Sequence, residues 1–209
     1  NDNKLNSENS DDIVVNDWDE LQYYCSLSDR DYTLKLKEDT NYYPSDPSSS
    51  TNQIKINNNV KIIGASGAYI GDESSRNVYV AQGTYKIETG NFIEFTPIVV
   101  SDSVKKGVTF ENIVFKWLYR KDVNKDGIFV EINGGSKNLL KNCTVEHSYF
   151  TGNAASFLHL KKGSATLEDC SFVNNTVSKG FINVYSGRNM VIRNCLFENN
   201  FAYEHSTCV

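Results

Sequence analysis

The sequence has three prolines and one methionine in 209 residues, and no run of 18 or more apolar residues. Without such a run it encodes no membrane-spanning helix. It also lacks an excess of positive charge: 21 Lys and Arg stand against 26 Asp and Glu, for a net charge of −5. A nucleic-acid partner is therefore not expected, because it would need a basic face. The five cysteines, Cys25, Cys143, Cys170, Cys195 and Cys208, show no CxxC and no Cys/His metal spacing, which argues against zinc. Their odd number and wide spacing do not make a disulfide framework, and they read as small buried hydrophobes. No Ser–His–Asp arrangement, phosphate-cradling glycine loop or cluster of three aspartates is readable. The opening NDNKLNSENSDD is polar and carries no signal peptide, as in a chain whose targeting segment has been removed.

Twelve Tyr and eleven Phe argue for an ordered core. Twenty-five Asn, with Gly and Ser, argue for many turns. The length fits one domain, or two at most. Residues 1–12 read as a disordered polar tail, followed by a short helix. Asp17 is its expected N-cap and Glu20 the N3 partner, with Trp18, Leu21 and Tyr24 or Cys25 on one face. After residue 28 the pattern changes to period two, in YTLKLK (32–37), QIKIN (53–57), VKIIG (60–64), NVYVA (77–81), YKIE (85–88) and FIEF (92–95). Short strands separated by turn-rich stretches indicate an all-β fold.

The strands repeat. FENIVFKWL (110–118), VEHSYFTGN (145–153), LEDCSFVNN (167–175) and IRNCLFENN (192–200) align without gaps. Their fourth column reads Ile113, Ser148, Cys170, Cys195, and their sixth is Phe throughout. A companion block reads FIEF (92–95), FVEI (129–132), FLHL (157–160) and FINV (181–184). A period of 20–30 residues with several strands per repeat predicts a right-handed parallel β-helix over 13–209, with residues 17–27 capping its first coil. The sequence stops at EHSTCV directly after a repeat, as in a piece of a longer solenoid.

The repeated apolar-x-(Asn/Asp)-Cys-x-Phe-x-Asn-Asn motif and IKINNNVKIIGA (54–65) resemble the adhesin-like surface proteins of methanogenic archaea. The Phe-x-x-Asn spacing is also similar to bacterial polymorphic outer-membrane autotransporter passengers, whose GGA[ILV] motif is missing here. The resemblance spans roughly 13–205. It implies display outside the cell or at its surface, and attachment to glycans or other microbial cells.

Four features could carry chemistry. Asp122, Asn124 and Asp126, then Gly127 and the Ile128 carbonyl, match the first half of a calcium loop, but Asn133 stands where a bidentate Glu is expected. The plain reading is an Asp/Asn-rich turn. The third residues of the companion block, Glu94, Glu131, His159 and Asn183, form an outward column if the strands stack in register. Glu94 and Glu131 would then lie about 5 Å apart, as in a retaining glycosidase, with His159 as acid or base. The plain reading is a solvated sheet face. Trp117 and Tyr119 are the favoured ligand-binding aromatics within 116–127, and their alternative role is packing. Asn142 and Asn174 head N-glycosylation sequons. The expected function is a non-catalytic, adhesin-like binding module without a cofactor, calcium apart. The alternatives are a polysaccharide lyase or glycoside hydrolase, and a structural stalk.

Overall fold

Alternating apolar residues need a second surface to bury their inner face. Here each coil supplies that surface for the next. The computed structural model describes residues 12–75, 92–121, 127–152, 155–185 and 188–202. It is an all-β parallel solenoid of about five turns with one short α-helix. Each full coil passes through four short strands, and each strand pairs in parallel with its counterpart one coil away.

Sheet 1 contains Asp12–Val15, Tyr32–Leu36, Val60–Ile63, Thr109–Glu111, Asn138–Lys141, Ser164–Glu168 and Asn189–Arg193. Sheet 2 contains Asn41–Tyr42, Tyr69–Ile70, Val114–Lys116, Thr144–Glu146, Ser171–Val173 and Leu196–Glu198. Sheet 3 contains Tyr119–Lys121, Tyr149–Thr151, Thr176–Val177 and Phe201–Ala202. Sheet 4 contains Ile54–Ile56, Ile98–Val100, Ile128–Ile132, Ser156–Leu160 and Ile182–Val184.

The helix α1, Trp18–Ser26, closes the first coil. Asp17 caps it by accepting the Glu20 N–H at 2.8 Å, and the Glu20 carboxylate accepts the Asn16 N–H at 2.8 Å. Trp18, Leu21 and Cys25 are buried, and the Trp18 indole donates to the Asn52 carbonyl at 2.8 Å. A nine-residue helix is marginal alone, so this packing is what holds it. Residues 1–11 lie outside the described residues, and Asp12 is not part of a tail. It opens a strand that pairs with Tyr32–Leu36 and places Asp12 against Lys35 Nζ at 2.8 Å.

The register corrects the repeat alignment. Phe110, Leu140, Leu167 and Ile192 form one inward column, at steps of 30, 27 and 25 residues. Phe115, Val145, Phe172 and Phe197 form a second. The second repeat is therefore LKNCTVEHS (140–148), not 145–153. The segment 145–153 misleads because Phe150 and Asn153 copy the spacing of Phe172 and Asn175. Phe150 instead pairs with Arg120 and Val177 on sheet 3. Cys143 thus joins Cys170 and Cys195, while Ser148 joins Leu118, Asn175 and Asn200. In the companion block FVEI, FLHL and FINV do stack. FIEF does not, because Ile98–Val100 occupies the place below FVEI.

Two polar columns hold the corners. Asn112, Asn142, Asp169 and Asn194 all adopt left-handed backbone, with φ between 50° and 56°. Asn and Asp tolerate that region where most side chains do not. Their side chains bond along the axis, Asn142 Nδ2 to Asn112 Oδ1 at 2.6 Å and Asn194 Nδ2 to Asp169 Oδ1 at 2.5 Å. Inside, Asn175 Oδ1 accepts the Ser148 N–H at 3.0 Å, and its Nδ2 donates to Val145 O at 2.8 Å. Asn200 Oδ1 accepts the Asn175 N–H at 3.0 Å. Asn175→Ala strips the Ser148 N–H of its acceptor and removes a bond from the Val145 carbonyl where both Asn175 and Ser148 are fully buried. At about 1–3 kcal/mol per orphaned group, the expected loss is roughly 2–4 kcal/mol. Urea unfolding followed by circular dichroism measures it. The exposed Glu198→Ala is expected to change stability by less than about 0.5 kcal/mol.

Candidate binding surfaces

The corner between sheets 2 and 3 has its own left-handed column: Trp117, His147, Asn174 and Asn199, at φ 54°, 47°, 57° and 53°. Trp is the costly member, since bulky residues avoid this region by about 1–2 kcal/mol. Its neighbour Leu118 takes the inward position and is 2 % exposed. The Trp117 ring stays half-buried on the outside, edge-on to Tyr69 with ring centres 5.3 Å apart. Lys116 Nζ lies 4.3 Å from the Trp117 ring centre and 4.6 Å from that of Tyr69. Burial raises the Tyr69 hydroxyl above the usual tyrosine range. Gly71 admits the coil above it: a Cβ there would sit 1.7 Å from the Lys116 carbonyl oxygen. The result is a small aromatic and cationic platform.

Tyr119, expected beside Trp117 as a ligand-facing ring, is 2 % exposed. It packs edge-on against Phe92 and Tyr149, each at 5.4 Å. Tyr119 and Tyr149 form a small cluster of their own, apart from the main core, and Phe92 packs over it. Tyr42 is fully buried and donates its hydroxyl to the Val15 carbonyl at 2.5 Å.

A groove of about 650 Å³ opens beside sheet 4 and is lined by Ser48, Gln53, Glu94, Arg120, Glu131 and Lys161, among others. Glu131 is in register with His159 on one side, as expected. On the other side it faces Val99, not Glu94. Ile93 bridges Arg120 instead, so the stacked pair of carboxylates at one strand spacing does not form. Both carboxylates nevertheless line the same groove. Glu131 is ion-paired with Lys161. Arg120 is 1 % exposed, donating Nε to Ile128 O at 3.0 Å and Nη1 to Ile93 O and Lys121 O at 3.1 and 2.7 Å. His159 is 2 % exposed against the Tyr185 ring, 4.6 Å between centres. The groove walls are mostly hydroxyls, an amide and charges of both signs, with Phe95 and Ile128 between them, a lining suited to hydrogen-bonding ligands more than apolar ones.

Asp122, Asn124 and Asp126 lie outside the described residues. Ile128 is described and is 2 % exposed, and its carbonyl, the expected loop ligand, accepts the buried Arg120 guanidinium. Among the described residues no group of three His, Cys, Asp or Glu is placed to hold a metal ion. Asn142 is exposed but its amide is engaged in the corner ladder. Asn174 is half-exposed, while Asn175 and Thr176 of its sequon are buried. No helix among the described residues is long and apolar enough to cross a membrane. No protein-family model, no curated protein and no solved structure matches the chain.

Trp117→Asn tests whether the platform serves the fold. Relief of backbone strain, about 1–2 kcal/mol, opposes the loss of ring and cation contacts worth about 0.5–1.5 kcal/mol. The net change in urea-unfolding stability is expected to stay within about 1 kcal/mol of zero. Tyr119→Ala removes a buried ring and is expected to cost about 3–5 kcal/mol by the same measurement.

Proposed function

We propose that this chain is a non-catalytic binding module of an adhesin-like protein, displayed at or outside the cell surface. Its proposed ligands are glycans, on polysaccharide or on other cells. The resemblance of its repeats to adhesin-like proteins of methanogenic archaea belongs to this proposal. The observation that carries it is Trp117. A bulky ring occupies a left-handed corner where the next coil carries His147 and the two after it Asn174 and Asn199, and it is held half-open beside Tyr69 and Lys116. Strain that gives the fold little is a mark of function. Aromatic faces stack on the apolar faces of sugar rings, and a rigid solenoid presents such a face without paying much ordering entropy.

A second reading, a glycoside-cleaving enzyme, is favoured by one observation: Glu94 and Glu131 share the sheet 4 groove with Arg120 and Lys161. The two readings part in a pull-down on insoluble polysaccharides and whole microbial cells, with calcium and with chelator, followed by assay of released sugar. The binding reading predicts retention without release, weakened about tenfold in Trp117→Asn, as expected for loss of about 1.4 kcal/mol. Release of sugar that Glu94→Gln or Glu131→Gln abolishes would replace it with the enzyme. Retention indifferent to Trp117 would move the ligand elsewhere, and no retention would leave a stalk. A calcium requirement would assign 122–128 to the site.

A further inference from the structure

The net charge of −5 conceals one basic corner, where the chain passes from sheet 4 to sheet 1. The turns 101–108, 133–137 and 161–163 carry Lys105, Lys106, Lys137, Lys161 and Lys162 against one acid, Asp102. Arg188, just before Asn189–Arg193, continues the series, its Nε donating to Lys161 O at 3.1 Å. Backbone bonds lock the turns onto one another: Ser136 N–H donates to Lys105 O at 3.0 Å, and Lys137 N–H to Lys106 O at 2.7 Å. Asn138, 2 % exposed, knits the corner from inside. Its Oδ1 accepts the Val108 N–H at 2.9 Å, and its Nδ2 donates to Gly134 O at 2.8 Å and Ser164 O at 3.0 Å. Gly107 lets the coils meet here, since a Cβ on it would sit 2.2 Å from the Lys137 carbonyl oxygen. The lysine stems therefore start from fixed points, spaced by about 4.8 Å per coil along the axis.

Elsewhere lysines sit against carboxylates: Lys35 against Asp12 at 2.8 Å, Lys61 against Glu111 at 2.7 Å, and Lys161 against Glu131. Lys106 and Lys137 are exposed and have no ion-pair partner among the described residues. Each lies in a coil with described coils on both sides, so its exposure belongs to the flank of the solenoid and not to an end. Like charges on neighbouring strands repel, so the pair works against the fold. Both open onto a groove of about 330 Å³ over the start of sheet 1, whose walls they share with Thr33, Asn59, Lys61 and Thr109. Asn59 is fixed by its Oδ1, which accepts the Lys106 N–H at 2.8 Å and the Gly107 N–H at 3.1 Å. The acid in the wall, Asp31, accepts the Asn59 Nδ2 at 3.1 Å. The ring in the wall, Tyr32, is 5 % exposed and offers no face for stacking a nucleic-acid base.

We propose that this groove binds an acidic polysaccharide, laid along the solenoid axis with its carboxylates on Lys106 and Lys137 and its hydroxyls on Thr33, Thr109 and Asn59. One pyranose of an extended chain advances it by close to one coil spacing, so successive carboxylates meet successive coils. The glycan class rests on the binding reading above, whereas the site and its demand for charge are separate from Trp117. Ion pairs in solvent are individually weak and are screened by salt, so the affinity comes from repetition along the axis and falls as salt rises.

The test is affinity electrophoresis of the full chain at low salt with chelator, in gels carrying alginate, whose every sugar bears a carboxylate, or neutral dextran. Alginate is expected to retard the protein, and added salt to remove the effect. The double variant Lys106→Gln/Lys137→Gln is expected to bind alginate about tenfold more weakly. Lys141→Gln, which removes the same charge from the other end of the sheet 1 strands, is expected to leave binding unchanged, and Lys106→Arg/Lys137→Arg to keep it. Circular dichroism checks that each variant remains folded. Trp117→Asn is expected to leave alginate binding in place, and a loss of dextran binding in that variant alone belongs to the Trp117 platform. No retardation of the wild type by alginate, equal retardation of the Lys106→Gln/Lys137→Gln variant, or an equal loss in Lys141→Gln would overturn the proposal. Loss of alginate binding in Trp117→Asn with the lysines intact would overturn this site and keep the platform. Single-stranded DNA or phosphatidylserine vesicles that compete as well as free alginate would also overturn it, by showing a surface for any polyanion.

Discussion

Everything in this structure depends on one constraint: each coil must place its backbone donors and acceptors against the next coil in register. In a parallel pair the hydrogen bonds are evenly spaced and slanted, so a slip of one residue reverses every side chain between core and solvent. The chain meets this constraint with strands of only two to five residues. Such short strands cannot define register by themselves. The corners define it in the last four described coils, because a left-handed residue at the same place in each of them turns the chain by the same amount.

Once register is set, like stacks on like, and the columns follow from chemistry. Aromatic rings stack where sheets 2 and 4 face inward, with Phe172 and Phe197 nearly parallel at 4.8 Å and Phe129 and Phe157 at 5.8 Å. Amides stack where the inner corner would otherwise leave N–H groups unbonded, as at Asn175 and Asn200. Outside, opposite charges alternate along sheet 1 through Glu111, Lys141, Glu168 and Arg193. These exposed pairs contribute little to stability, but they prevent like charges from meeting one strand apart. Trp117 is the exception to this logic: the corner column would be relieved by Asn, yet it carries an indole ring on the outer surface.

Much of this was legible in the sequence. The alternation, the Phe-x-Asn-Asn repeats and the Asp17–Glu20 cap pointed to a parallel solenoid with a helix over its end. The strand at Asp12–Val15 was not legible, because three apolar residues after a polar tail carry no period. The place of Cys143 was missed because Phe150 and Asn153 offered a better letter match than Val145 and Ser148. Letter matching cannot see that a valine and a phenylalanine fill the same inner column. The burial of Tyr119 stayed open in the sequence for a related reason: a ring near an insertion reads the same whether it binds a ligand or packs under a neighbouring segment. The sheet 4 groove had no local signal, since it joins residues from 48 to 161 through the coil geometry.

The register of the coils is tested most directly by backbone nuclear Overhauser effects in the labelled protein. The account predicts cross-strand effects linking Thr144–Glu146 to Ser171–Val173 and Asn138–Lys141 to Ser164–Glu168. Effects that instead link residues 145–148 to 167–170 would contradict it. They would return Ser148 to the cysteine column and dissolve both the amide ladder and the thiol column.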